Sequence, residues 1–188
     1  MTRIIAGLAG SLKLTSPAKL TRPTSDRIRE SIFSRIEARD LVDGARVLDL
    51  YAGTGALALE SASRGAAAAW MVERDGKAAA VCVANLKIVA KALLKEEIEF
   101  DGKVVNKSVS AFLNAPGEVE FNLVFIDPPY EITNDEIVAD LIALKAIVKD
   151  ATVVVERSSR TDAPVWPEGY KLDDEKSYGD TVVYWLSA

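Results

Sequence analysis

Four residues, Asp127, Pro128, Pro129 and Tyr130, end the apolar run of NLVFIDPPYEI (122–132). Proline donates no backbone hydrogen bond and drives the residue before it into an extended conformation, so Asp127 is pinned where a buried strand stops. A carboxylate fixed there either serves a ligand or caps a turn in which Tyr130 packs on a neighbour. The second constellation is VLDLYAGTGALALE (47–60), where Gly53 and Gly55 clear side chains from the backbone just before a helix begins. A ligand can then approach the main chain and the helix N-terminus. Glu73 follows at the carboxyl end of the next strand, AAWMVE, at a spacing that suits an acid gripping ribose hydroxyls. The glycine pair alone is a weak signal, with a tight structural turn as its alternative; with Glu73 it points to an adenosine-containing cofactor. NAD stays open, because Ala58 stands at the third glycine position and alanine is accepted there.

Other chemistries drop out. The chain has no histidine, which removes Ser-His-Asp triads, histidine bases and the usual histidine-containing zinc sites, and no metal is expected. Its single cysteine, Cys82, lies in the apolar stretch AAAVCVANL and reads as a small core residue. There is no apolar run of membrane-spanning length and no signal-peptide pattern, so a cytoplasmic protein with no membrane partner is expected.

The net charge is -5, but it is unevenly spread. Residues 1–39 hold Arg3, Lys13, Lys19, Arg22, Arg27, Arg29, Arg35 and Arg39 against Asp26, Glu30 and Glu37, a local balance of +5 that leaves -10 for the remainder. A basic arm on an acidic body steers polyanions to one face; the alternative is a solvated helix with local ion pairs.

The elements that must position these groups are legible from periodicity. RIIAGLAGSLKL (3–14) reads as two short strands, and Ile28, Ile32 and Ile36, with Phe33, mark an amphipathic helix to Arg39 after an N-cap offered by Thr24, Ser25 and Asp26. From residue 46 strands alternate with helices, which predicts right-handed crossovers and a mostly parallel sheet covered on both faces. The tail, YKLDDEKSYGDTVVYWLS, holds two strand-like runs with no helix between them, so a hairpin and an antiparallel final strand are expected. The expected fold is α/β, a Rossmann-like doubly wound sheet of seven strands with an N-terminal hairpin and helix extension. The extension is assigned to residues 1–40 and the main domain to 41–188. Trp70 and Trp185 read as core residues rather than a stacking platform. The acidic run near Asp173 reads as a solvated hairpin edge.

DLYAGTG (49–55) with DPPY (127–130) resembles the S-adenosylmethionine-dependent methyltransferases that modify exocyclic amino groups of nucleobases. TRPTSDRIRESIF (21–33), the early RIIAG, LYAGTGALALESASRGA and the late YGDT make the chain similar to the RsmD-type enzymes, which methylate N2 of a guanine in 16S ribosomal RNA. It departs from them in Gly10-Ser11 after the first hairpin and in Ser108 after the strand KVVN.

The resemblance implies S-adenosylmethionine as cofactor, contacted by Asp49, Tyr51, Gly53, Thr54, Gly55, Glu73, Arg74, Ser108, Val109 and Asp127. It implies that the Asp127 carboxylate and the Pro128 carbonyl accept from the target amino group while Tyr130 stacks on the base. Pro129 and Tyr130 would meet the substrate, with Arg3, Lys13, Arg22 and Arg27 on phosphates. The partner would be 16S ribosomal RNA or a 30S subunit assembly particle, met by a monomer. A DNA amino-methyltransferase shares DPPY, but few residues lie outside the core to form a target-recognition domain. A non-catalytic cofactor- or RNA-binding module is the rival from another class.

Overall fold

The computed structural model describes residues 2–16 and 26–188. Helix α1 (Asp26–Ala38) is followed by β1 (Arg46–Leu50), α2 (Ala56–Ser63), β2 (Ala68–Val72), α3 (Gly76–Lys95) and β3 (Asp101–Val105). Then come α4 (Val109–Leu113), β4 (Phe121–Ile126), α5 (Asn134–Leu144), a 3-10 turn (Lys145–Ile147), β5 (Val148–Ser158) and the hairpin of β6 (Lys171–Tyr178) and β7 (Thr181–Ser187). Among the described residues the seven strands form one sheet in the order β3-β2-β1-β4-β5-β7-β6. The pairings of β1 to β5 are all parallel, and β7 runs antiparallel to both β5 and β6. This is the Rossmann-like architecture expected, with the reversed strand contributed by the tail hairpin.

The sheet reverses direction of travel between β1 and β4, and that seam is where an open α/β sheet leaves a crevice at its carboxyl ends. Side chains alternate across it. Val47, Met71, Phe125, Val154 and Trp185 face a core shared with Ile32, Phe33 and Ile36 of α1 and with Leu59 and Cys82. Leu48, Leu50, Ile126, Val155 and Leu186 face the other, with Phe112, Ile137 and Leu141. Burying each of these large apolar side chains stabilises the fold by roughly 1.5–3 kcal/mol. Trp185 is buried as expected, whereas Trp70 is only partly buried, meeting Phe112 and Phe121 edge-on.

The N-terminal hairpin contracts to a single antiparallel bridge between Arg3 and Lys13. Its two arms bond to each other, Ile4 N to the Leu12 carbonyl, Ser11 N to the Ile4 carbonyl and Leu14 N to the Thr2 carbonyl (2.9 Å each), outside the main sheet, and side chains of α2 and α3 anchor the segment. Buried Glu60 accepts from the amides of Ile5 (2.7 Å) and Ala6 (3.0 Å), and Ser63 Oγ accepts from Ala9 N (2.9 Å). A Cβ on Gly7, at φ +81°, would lie 1.9 Å from the Ser63 carbonyl oxygen, so only glycine permits this approach. Buried Asn85 on α3 accepts from Thr15 N (2.8 Å) and donates to the carbonyls of Thr15 and Thr54 (3.0 Å each), tying the segment to the glycine turn.

The acidic hairpin edge has a second role. Asp174 pairs with Arg35 of α1, whose guanidinium lies 4.6 Å from the Trp185 ring centre. Arg35 therefore braces the hairpin against α1, and Arg29 is buried with Nη2 on Asp26 (2.6 Å) and the Arg3 carbonyl (2.9 Å).

Candidate active site

One cavity of about 920 Å³ runs along the carboxyl ends of the strands, from the glycine turn to the Asp-Pro-Pro-Tyr segment. Asp49, Tyr51, Gly53, Thr54, Glu73, Arg74, Ser108, Val109 and Asp127 to Tyr130 all line it, as does Arg27 of α1. The two constellations, more than 70 residues apart in sequence, thus share one space because β1 and β4 are neighbours.

The glycine turn is built around a strained residue. Tyr51 sits at φ +65°, a region that costs a non-glycine residue of order 1–3 kcal/mol and clusters at functional sites. Its hydroxyl donates to Asp140 Oδ2 at 2.6 Å, and burial beside that carboxylate pushes the phenol well above its ordinary value. Gly55 does not line the cavity; it N-caps α2 at φ +79° with no side-chain bond, and a Cβ there would lie 2.8 Å from Cys82 Sγ.

Asp49 supplies the missing cap from the side: Ala58 N donates to its Oδ2 at 3.2 Å. Asp49 is fully buried, and that desolvation outweighs the Ala58 bond. With Asp127 and Glu73 adding repulsion, its carboxyl is pushed up to about 8. A cationic ligand placed beside it would restore the charged form.

Glu73 is oriented by two backbone donors, Gly53 N on Oε2 (2.8 Å) and Asp75 N on Oε1 (2.7 Å). A carboxylate has about four lone-pair sites, so each oxygen keeps capacity for a further donor such as a ribose hydroxyl. Asn106 fixes the same corner by donating to the carbonyls of Glu73 (2.8 Å) and Arg74 (3.1 Å). Ser108 N-caps α4 through Ala111 N (3.2 Å), which places Val109 at the start of that short helix.

The Asp127 to Ile132 turn is held at both ends. Ile126 is fixed in the sheet, Ile132 N donates to the Pro129 carbonyl (3.1 Å), and Thr133 with Glu136 forms a complete capping box on α5. Arg157, from the end of β5, reaches under the turn: Nη2 donates to the Ile132 carbonyl (2.8 Å) and Nε to Asn134 Oδ1 (3.1 Å). Tyr130 is left 64% exposed at the mouth. Arg74 bridges to Glu131 across that mouth at 3.1 Å.

Arg3 and Lys13 lie outside the cavity, both exposed, with Arg3 3.6 Å from Asp26. Arg22, Lys19, Thr24 and Ser25 lie outside the described residues. Asn85, Arg157 and the hairpin turn at Tyr178 to Thr181 were not singled out as site residues from sequence. Asn85 and Arg157 act through hydrogen bonds to backbone atoms, which leave no spacing pattern. The YGDT turn was visible as a motif, but its approach to the cavity depends on β7 lying beside β5.

A sheet in this order, with a glycine turn ending β1 and an Asp-Pro-Pro-Tyr turn ending β4, defines a Rossmann-like methyltransferase. The model of the family described as Conserved hypothetical protein 95 matches residues 2–187, and the chain belongs to that family, the RsmD family of methyltransferases. It is 36% identical over 182 residues to Ribosomal RNA small subunit methyltransferase D of Escherichia coli K12, covering 96% of this chain and 86% of that protein. The protein of the same name in Haemophilus influenzae is 30% identical over 94% of this chain and 89% of its own length. Among solved structures, a hypothetical protein of Thermus thermophilus superposes with a TM-score of 0.82 at 26% identity, with both chains fully covered. Among the described residues no helix is long and apolar enough to cross a membrane.

Proposed function

We propose that this protein transfers a methyl group from S-adenosylmethionine to the exocyclic N2 of a guanine in 16S ribosomal RNA, as a cytoplasmic monomer acting on the RNA or on a 30S assembly particle. The observation that carries the reading is the single cavity joining the glycine turn to Asp127, Pro128 and Tyr130. Membership of the RsmD family and the ribosomal RNA substrate in the names of two relatives support the choice of RNA.

The residues present fit the cofactor. Glu73 retains acceptor capacity for ribose hydroxyls, and Gly53 offers an unobstructed backbone. Asp49, whose carboxyl a neighbouring cation would return to its charged form, suits the inner end of the cavity to a cationic amino-acid moiety. When bound, S-adenosylmethionine supplies an electrophilic methyl group on a sulfonium centre.

The chain's own work is positioning. A guanine amino group is a poor nucleophile because its lone pair is delocalised into the ring. Acceptors aimed at its two hydrogens favour the pyramidal geometry in which that lone pair is available. The Asp127 carboxylate and Pro128 carbonyl provide them on a turn that two prolines make rigid. They also stabilise the positive charge that develops on nitrogen, and the proton it loses leaves toward solvent at the mouth. Tyr130 holds the unstacked base by its exposed ring, and Arg27 on the cavity rim meets phosphate.

The test is incubation with methyl-labelled cofactor and, separately, 16S ribosomal RNA, partly assembled 30S particles and duplex DNA, followed by nucleoside analysis. N2-methylguanosine from an RNA-containing arm is expected. Label appearing in DNA as N6-methyladenine, with none in RNA, would overturn the reading.

A further inference from the structure

The cavity extends past Asp127 to the end of β5, where a second acid faces it. Glu156 is 5% exposed and lines the cavity, together with Ser158 and the Tyr178 to Thr181 turn. Its neighbours fix its direction. Phe125, Val154 and Val183 pack on the α1 side of the sheet, while Ile126 and Val155 pack on the other. Ile126 pairs with Val155, and Glu156 pairs with Val183. Alternation puts Glu156 on the α1 face, and carried one residue past the last pair it brings Asp127, at the end of β4, to the same face; both line the cavity.

This placement matches the chemistry of one purine edge. In guanine the N1–H lies next to the N2 amino group, so an edge whose amino hydrogens meet Asp127 and Pro128 presents its N1–H to a neighbouring acceptor. Adenine carries a lone pair at N1, which would face the acid.

We propose that Glu156 is a specificity-determining residue of the reaction, its carboxylate accepting from N1–H of the guanine whose N2 is methylated. The inference rests on the guanine-N2 reading above. Its consequence is that the enzyme selects the protonated N1 edge and not merely the presence of a 2-amino group. The sequential neighbour Arg157, on the opposite face of β5, holds the Asp127 turn, so one strand end sets both the loop and the base.

The discriminating base is 2,6-diaminopurine, which keeps the 2-amino group but has an unprotonated N1. The experiment uses 16S ribosomal RNA carrying either guanine or 2,6-diaminopurine at the nucleotide that the wild-type enzyme methylates. It compares kcat/KM for the wild type and Glu156→Gln, with cofactor affinity measured calorimetrically for both. The wild type should prefer guanine by about tenfold or more, because an acceptor facing an acceptor leaves a buried group unmatched. Glu156→Gln, whose amide can accept from one base or donate to the other, should bring the ratio to within about threefold while binding cofactor normally.

An unchanged preference in Glu156→Gln would overturn the proposal. Equal wild-type rates on the two bases would do so without any variant, whatever the stability of the substituted protein. Absence of N2-methylguanosine with the wild type rejects the underlying guanine reading. Guanine methylation with an unaltered ratio in the variant rejects Glu156 alone.

Discussion

Asp49→Asn tests the electrostatics of the site without altering its shape. The carboxyl of Asp49 is fully buried and its ionisation is pushed up from 3.8 to about 8, so at pH 6 the folded protein holds a proton that the unfolded chain has released. Between those values the native state binds more protons, and stability must therefore fall as pH rises. The contribution is fully present below pH ~4 and is lost by pH ~8; a shift of about 4 units corresponds to about 6 kcal/mol in total. Over pH 5 to 7 alone the loss is about 2–3 kcal/mol, or roughly 5–10 °C in Tm for a chain of this size. Asparagine keeps the oxygen that accepts from Ala58 N and does not titrate.

Urea unfolding of the cofactor-free wild type and variant at pH 5, 6, 7 and 8 measures the difference directly. The variant should gain stability relative to the wild type with each step up to pH 7, less between 7 and 8. Parallel pH profiles would refute the claim that a buried, proton-holding carboxyl lies under the glycine turn.

Two further outcomes follow from the geometry. Arg157→Met removes the bonds to Ile132 and Asn134, so kcat should drop about tenfold or more while cofactor affinity, measured by titration calorimetry, changes less than about threefold. Gly55→Ala places a Cβ 2.8 Å from Cys82 Sγ at φ +79°, and a thermal melt should show destabilisation of about 2 kcal/mol or more.

Periodicity was enough for the sheet and its helices because both faces of the sheet are buried and the apolar runs of β1, β4 and β5 are long. The tail hairpin was legible for a simpler reason: no helix fits between its two runs. The N-terminal hairpin was legible in RIIAG and SLKL, which pair through Ile4, Ser11 and Leu14, but its anchoring to Glu60, Ser63 and Asn85 was not, because those bonds join residues far apart in sequence. In the site, groups that stop a strand or open a helix announced themselves through glycine and proline. Arg157 and Asn85 did not, since a side chain bonded to a distant carbonyl has no local signature. Arg35 shows the limit of counting charge: it adds to the basic balance of residues 1–39 and is committed to Asp174 and Trp185.

The most direct measurement is the single-turnover rate of methyl transfer by Asp127→Ala against the wild type, at saturating S-adenosylmethionine, with the dissociation constant of the cofactor determined in parallel. Removing one acceptor from the reacting amino group should slow the chemical step by about a hundredfold or more. Cofactor affinity should fall far less than the rate, by under about tenfold, since Glu73 and the glycine turn remain in place. A variant that transfers methyl groups at the wild-type rate would contradict the account.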